Sequence, residues 1–274
     1  MERTRGARSV PERSTPLNDI FTAVRTRFAS TPFGHIEFRP QTGSTNEDAA
    51  ARLHETTSAG STIMADYQTS GYGRKGRKWQ APPGSSLLFT TILPRSVRRA
   101  DLWAVPFWTA LCVAGALLKL GVQTQLQWPN DLLLQRRKCC GILCVSRVTG
   151  ETARVGCGIG LNVRRPVTEC ESIVPPPSYI SDVRSIDRTT ILSEILARFL
   201  DDLRLLDHPE QIARRWESVG ALRGSTYRLR LDHPPECLEA VAQQLGPAGE
   251  LIVSENGTRR TISLADAQVV RPSA

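Results

Sequence analysis

Between residues 71 and 79 the chain reads Gly71-Tyr72-Gly73-Arg74-Lys75-Gly76-Arg77-Lys78-Trp79, with four cations set among three glycines. Glycine lets a backbone turn tightly and approach a ligand closely, while guanidinium and ammonium groups attract phosphates and carboxylates. The same glycines spell G-x-G-x-x-G, the signature of a dinucleotide-binding turn. Two prolines and a glycine follow closely, Pro82-Pro83-Gly84, and cannot open the helix that such a turn requires. A cationic flap suits an anion that is made and then released. A solvated basic hairpin would account for the charges but not for the spaced glycines.

A second stretch reads Trp128-Pro129-Asn130-Asp131, followed by Lys138 and Gly141-Ile142-Leu143. Proline stiffens the turn and aims its neighbours. Asp131 can meet Mg²⁺ against phosphate oxygens, since magnesium is usually held by a carboxylate, water and phosphate together. Lys138 can meet the junction between a carboxylate and a phosphate. Taken alone, the segment would also fit a strand-end turn with surface charges. Gly156-x-Gly158-x-Gly160-x-Asn162 permits close backbone approach, and Ser44-Thr45-Asn46 alone fits a helix N-cap. In combination, the flap and the Trp-Pro-Asn-Asp wall suit activation of a carboxylate as its acyl-adenylate.

The elements that must hold these residues follow from periodicity. Helices are expected over 18–30 (Phe21, Val24, Phe28), 47–54 (Ala49, Ala50, Leu53) and 101–120, the last ended by Gly121. Asp187 can cap another whose apolar stripe runs from Ile191 to Leu206, with Pro209 as its stop, and a helix over 210–218 follows. Strands are expected over 61–66, 86–93, 124–128, 140–147 and 153–159. After Gly220 short alternating runs and turns such as Asn256-Gly257 indicate a small β-barrel. The chain thus divides into a basic, largely disordered tail (1–30), a catalytic domain (31–219) and a small C-terminal domain (220–274).

Composition narrows the class. The 274 residues are 40% apolar and 23% charged, as in a globular protein, and no apolar run approaches the roughly 20 residues of a membrane span. No apolar segment backs the basic start, so no secretory signal is expected and a cytoplasmic location is. The net charge of +8 comes from the tail, the glycine loop and scattered arginine pairs without interleaved aromatics, so specific nucleic-acid binding is not expected. Seven cysteines and four histidines show no zinc spacing, which favours buried reduced thiols.

In order and spacing these motifs resemble the biotin–protein ligases. The resemblance covers Gly43 to the C-terminus. It rests on Gly43-Ser44-Thr45-Asn46, Tyr67-Gln68 before the 71–79 loop, Trp128-Pro129-Asn130-Asp131, Lys138-x-x-Gly141-Ile142-Leu143, Gly158-Ile159-Gly160-Leu161-Asn162-Val163 and Arg215-Trp216. It implies an α/β fold, with a central mixed β-sheet in the catalytic domain and a small SH3-like C-terminal domain. The short N-terminal segment resembles the form without a DNA-binding domain. The resemblance also implies ATP, Mg²⁺ and biotin as reactants, a carboxylase biotin carrier domain as acceptor, and a homodimer as a possible assembly. By motif position, Ser44, Thr45, Gln68, Gly71, Tyr72 and Gly141 would contact biotin. Arg74, Arg77, Trp79, Asn130 and Asn162 would serve the nucleotide, Asp131 the metal, and Lys138 with Arg74 the reaction.

Three positions depart from that family pattern. Tyr72 stands where the loop usually has arginine, Gln127 where lysine usually precedes Trp-Pro-Asn-Asp, and Val145 where an acidic residue is common. Two further readings therefore stand beside biotin ligation: a divergent ligase that adenylates another carboxylic acid, and a non-catalytic adenylate-binding module.

Overall fold

The computed structural model describes residues 21–167, 175–220, 222–265 and 267–270. Eight strands make the main sheet: β1 (Ile36–Thr42), β2 (Thr62–Gln68), β3 (Ser86–Ile92), β4 (Val97–Arg98), β5 (Gln125–Gln127), β6 (Asp131–Leu134), β7 (Arg137–Thr149) and β8 (Thr152–Asn162). Their order is β1-β2-β3-β8-β7-β6-β5, with β4 beside β8. Only β1 and β2 run parallel; the other pairs are antiparallel, which makes the sheet mixed.

Among the described residues five helices accompany the strands: α1 (Thr22–Phe28), α2 (Thr45–Arg52), α3 (Ala104–Lys119), α4 (Arg188–Asp202) and α5 (Pro209–Val219). One apolar face of the sheet packs against α3 and α4, and α2 lies across β2, β3, β7 and β8. The long central strands show why the sheet can serve both sides. On β8, Cys157, Ile159 and Leu161 are buried core residues, while the alternating positions Gly156, Gly158 and Gly160 carry no side chain.

Several expected elements shift. The helix expected over 18–30 is observed as α1, and Phe21, Val24 and Phe28 are fully buried, so this part of the expected tail is packed. Residues 1–20 lie outside the described residues. The helix expected over 47–54 begins at Thr45. Ser44 occupies its N-cap position, yet its side chain makes no capping bond. The Thr45 N–H is instead accepted by Gln68 Oε1 at 2.7 Å, so a residue from β2 replaces the local cap. Pro209 does not end α4, which stops at Asp202 and passes into a 3₁₀ turn; it opens α5 at the first turn, where its missing N–H has no cost. Asp187 does cap α4, accepting from Thr190 N–H at 2.8 Å.

The C-terminal strands are β9 (Thr226–Asp232), β10 (Pro235–Leu245), β11 (Leu251–Glu255), β12 (Thr258–Ile262) and β13 (Ala267–Val269). They form one antiparallel sheet in the order β12-β11-β10-β9-β13, consistent with the SH3-like expectation. An aromatic cluster joins this sheet to the main domain. Trp128 is fully buried and donates its indole N–H to Gly249 O at 3.0 Å. Phe107 stacks edge-on against Trp216 beside it, with centroids 5.3 Å apart. Gly249 has a φ of +80°, and a Cβ there would lie 2.8 Å from Phe107, so only glycine fits.

Among the described residues the free cysteines are Cys112, Cys139, Cys140, Cys144, Cys157 and Cys237. The buried-thiol reading fails at Cys237, whose side of β10 faces solvent; Cys170 lies outside the described residues. No group of three or more potential metal-binding side chains occurs among the described residues. No helix there is long and apolar enough to cross a membrane.

The join between the sheets predicts an alkaline stability loss. The Tyr227 hydroxyl lies 3.4 Å from the Trp128 N–H, and burial pushes the phenol up to about 12. An unfolded tyrosine titrates near 10, so this group's contribution is complete below that pH and disappears as pH rises through the folded value. The expected loss is about 2–3 kcal/mol. Urea unfolding between pH 9 and 12 should show a shallower decline for Tyr227→Phe than for the wild type; equal declines would exclude Tyr227 as the cause.

Candidate functional site

A cavity of about 550 Å³ opens between the 71–79 loop, the N-terminus of α2, strands β6–β8 and β13. Its floor is the bare face of β7 and β8. Gly141 and Gly160 are directly opposed in the register, and Gly158 opposes Leu143. The Trp79 indole lies on the first pair: a Cβ on Gly160 would be 2.6 Å from its Cε2, and one on Gly141 would be 2.9 Å from its Cζ3. Gly158 makes room for Asn46 in the same way.

One end of the cavity is uncharged and hydrogen-bonded. Gln68 Oε1 accepts from Thr45 N–H and from Thr45 Oγ1, at 2.7 and 3.1 Å. Thr90 Oγ1 donates to Asn46 Oδ1 at 2.8 Å and lies 2.9 Å from Thr45 Oγ1. Asn46 Nδ2 donates to Leu143 O at 3.1 Å. This network fixes donors and acceptors at a buried place, which suits recognition of a polar, uncharged head group.

The other end is charged. Lys138 Nζ pairs with Asp131 Oδ1 at 2.7 Å and sits 5.4 Å from the Trp79 ring centroid, within cation–π range. Lys138 reaches this face because of a bulge. Leu132 pairs with Cys140 but Leu133 pairs with Lys138, so Cys139 is an extra residue in β7. A regular pleat would set Lys138 on the buried side with Cys140; the bulge turns it to the Gly141 side. Arg74 and Arg77 line the same end, and burial lowers the Arg74 pKa, opposed by nearby Asp131. Tyr72 lies on the wall, where burial, then Glu47, raises its phenol pKa.

The cavity therefore brings together Ser44, Thr45, Gln68, Tyr72, Arg74, Arg77, Trp79, Asn130, Asp131, Lys138, Gly141 and Asn162. Gly71 is not on its wall; it is buried behind Gln68, whose Nε2 would meet a Cβ there at 2.9 Å. Asn130 and Asn162 line the cavity but direct their amide N–H groups at backbone, Asn130 to Ile142 O at 2.6 Å and Asn162 to Ser178 O at 3.2 Å. Arg215 and Trp216 belong to α5, with Trp216 in the core and Arg215 3.7 Å from Asp202. Residues that sequence reasoning did not place in the site include Asn46, Ser86, Tyr179 and, from the C-terminal sheet, Gln268 and Val269. Asn46 was legible as part of Gly43-Ser44-Thr45-Asn46; the others have no local signal. Val145, the departure from an acidic residue, packs against Ala49, Leu53, Ile63 and Ile92.

As for magnesium, Asp131 is the carboxylate on the cavity wall among the described residues. One carboxylate is too few for an all-protein Mg²⁺ cage but fits an ion that arrives with nucleotide phosphates.

The glycine floor makes a prediction. Gly158→Ala would set a methyl group 2.6 Å from Leu143 O and into Asn46, destabilising the protein by about 1–3 kcal/mol in urea unfolding. An unchanged midpoint would mean that the β7–β8 floor yields easily.

Residues 38–162 match the biotin/lipoate A/B protein ligase family model. The chain is 28% identical over 231 residues to the bifunctional ligase/repressor BirA of Escherichia coli, covering 82% of this chain and 70% of that one. It is 28% identical over 261 residues to the biotin–[acetyl-CoA-carboxylase] ligase of Mycobacterium tuberculosis, covering 89% and 92% respectively. Its fold is similar to that of the Aquifex aeolicus biotin protein ligase solved with biotin and ATP, with a TM-score of 0.71, 23% identity, and coverage of 88% of this chain and 100% of that one. The matched segment holds the polar cluster, the cationic loop, the Asp131–Lys138 pair and the glycine floor. Over residues 38–162, therefore, the chain is similar to the biotin/lipoate A/B protein ligase family, and its fold is that of a biotin protein ligase.

Proposed function

We propose that this protein is a cytoplasmic, ATP-dependent ligase that adenylates biotin and transfers it to a lysine of a carboxylase biotin carrier domain. The observation that carries the reading is a single cavity with an uncharged hydrogen-bonding end and a cationic end, joined across the Trp79-covered glycine floor. The names of the relatives support the choice of biotin and of a carboxylase acceptor.

In the first half-reaction a biotin carboxylate oxygen attacks the α-phosphorus of ATP. The bond to the bridging oxygen breaks and pyrophosphate leaves, giving biotinyl-5′-AMP. Ser44, Thr45 and Gln68 hold the head group, with Thr90 and Asn46 fixing their orientation. Trp79 and Gly141 confine the chain that carries the carboxylate. Lys138 stabilises the negative charge shared by carboxylate and α-phosphate, and Asp131 keeps the ammonium group aimed. Arg74 and Arg77 close on the phosphate side and exclude water. Magnesium, held by Asp131 together with the phosphates, would offset the charge of the leaving pyrophosphate. Asn130 and Asn162 shape the nucleotide wall, since their amide donors already hold backbone. In the second half-reaction a neutral lysine amine attacks the acyl carbon. The amide forms, the C–O bond to AMP breaks, and the amine's proton leaves to solvent. Most of the protein's work is positioning and electrostatic stabilisation.

Tyr72 favours one competing reading, because it removes a cation from the cavity wall where this loop usually carries arginine. A divergent ligase would activate another carboxylic acid with the same machinery.

The test is pyrophosphate release from Mg·ATP with biotin, lipoate and other acids, for wild type and Lys138→Ala. Biotin-dependent release should fall by about 10²–10³-fold in the variant, the range seen when a transition-state charge loses its stabilising donor. Release with another acid alone would establish the divergent ligase. No release with any acid would leave a non-catalytic binding module.

A further inference from the structure

The 71–79 loop is a small hairpin whose base closes on itself. Gly73 N–H donates to Arg77 O at 2.7 Å and Trp79 N–H to Gly71 O at 2.8 Å. Its tip is different. Lys75 has a φ of +57°, in the left-handed region that disfavours a side chain other than glycine, asparagine or aspartate. The tip's side chains reach out to the C-terminal sheet. Arg74 Nη2 donates to Leu264 O, and Lys75 Nζ donates to Asp232 Oδ2 at the end of β9. The pair is half-buried on the lysine side and more open on the aspartate side, and the hydrogen bond from Lys75 lowers the Asp232 pKa. The hairpin base sets where the loop begins, but its own bonds do not fix where the tip points. The same sheet also lines the cavity through Gln268 and Val269.

We infer that Asp232 is a positioning residue of the site: through Lys75 it holds the glycine-loop tip down over the cavity, so that Arg74 and Trp79 stay in place while an acyl-adenylate waits for its acceptor. The role rests on the adenylating reading of the cavity, but the contact itself does not. Loss of the pair leaves the Arg74–Leu264 tether but loosens the tip at Lys75, without touching the polar head-group cluster or Lys138. Retention of the intermediate is therefore what suffers, more than its formation.

The first readout needs no substrate. Arg74, Lys75, Arg77 and Lys78 make the loop a trypsin target, and cleavage under native conditions follows the population of the open loop. Asp232→Ala should be cut there about three- to fivefold faster than wild type, the range that an ion pair near the surface controls, and 0.5 M NaCl should reduce the difference. Lys75→Asp alone sets like charges against Asp232 and should open the loop, and adding Asp232→Lys to that variant should restore protection at the remaining sites, since aspartate tolerates the left-handed backbone at 75. Equal cleavage of wild type and Asp232→Ala, at equal thermal stability, would overturn the inference, as would a swap no better than the single variant. The second readout uses biotin and Mg·ATP. Asp232→Ala should form adenylate at near wild-type rate yet release it to solvent about three- to fivefold faster, giving a raised KM for the acceptor at little cost in pyrophosphate release. Faster cleavage together with no biotin-dependent chemistry in the wild type would refute the biotin reading and leave the latch intact. Faster cleavage with unchanged adenylate release would overturn the positioning role.

Discussion

The site depends on one constraint, the absence of side chains along one face of β8. Gly156, Gly158 and Gly160 recur with the two-residue period of a strand, so they all present to the same side. Each has a different occupant above it: Ala49 of α2, Asn46 at the start of that helix, and Trp79 from the glycine loop. Any Cβ in this row meets atoms that would have to move. The intervening Cys157, Ile159 and Leu161 fill the opposite side against the helices. A single strand thereby supplies a core face and a ligand face, and burial of the first holds the second flat.

That floor gives the remaining groups their distances. With α2 drawn close over Gly158, Thr45 can offer its N–H to Gln68, and Ser44 needs no capping role of its own. With Trp79 drawn close over the Gly141–Gly160 pair, an aromatic face lies within reach of Lys138. The β7 bulge completes the arrangement by turning Lys138 toward Asp131 and away from the core side occupied by Cys140. Half-buried there, the ammonium group meets both the carboxylate and the indole face. The charged end is thus built from two irregularities, a bulge and a bare stripe, within an otherwise regular sheet.

The C-terminal sheet takes part in the site through contacts between segments 121 to 190 residues apart in the chain. Trp128 anchors it from below through Gly249, and Lys75 and Arg74 meet it from above through Asp232 and Leu264. Trp128 and Asp131 belong to the same four-residue turn. Docking of the two sheets and placement of the charged pair therefore depend on one short piece of backbone, which explains why that turn combines a buried indole with a site carboxylate.

Local sequence determined most element types and the cationic character of the loop, while the mixed α/β class was what the motif resemblance implied. Hydrophobic period identifies α3 and α4, and the clustering of glycine with cations marks the loop whatever its surroundings, because those properties belong to short segments. It also marked Lys138, Arg74 and Asp131, and the motif resemblance added Thr45 and Gln68; the fold gathers all five around one cavity. What it could not supply is anything that requires two distant segments to be compared. The cap on α2 comes from β2, the orientation of Lys138 from a register shift between strands, the burial of Val145 from α2, and the wall formed by Gln268 and Val269 from packing between sheets. A residue's type is fixed by its own side chain, but its direction and neighbours are fixed by long-range pairing, and only the folded chain decides those.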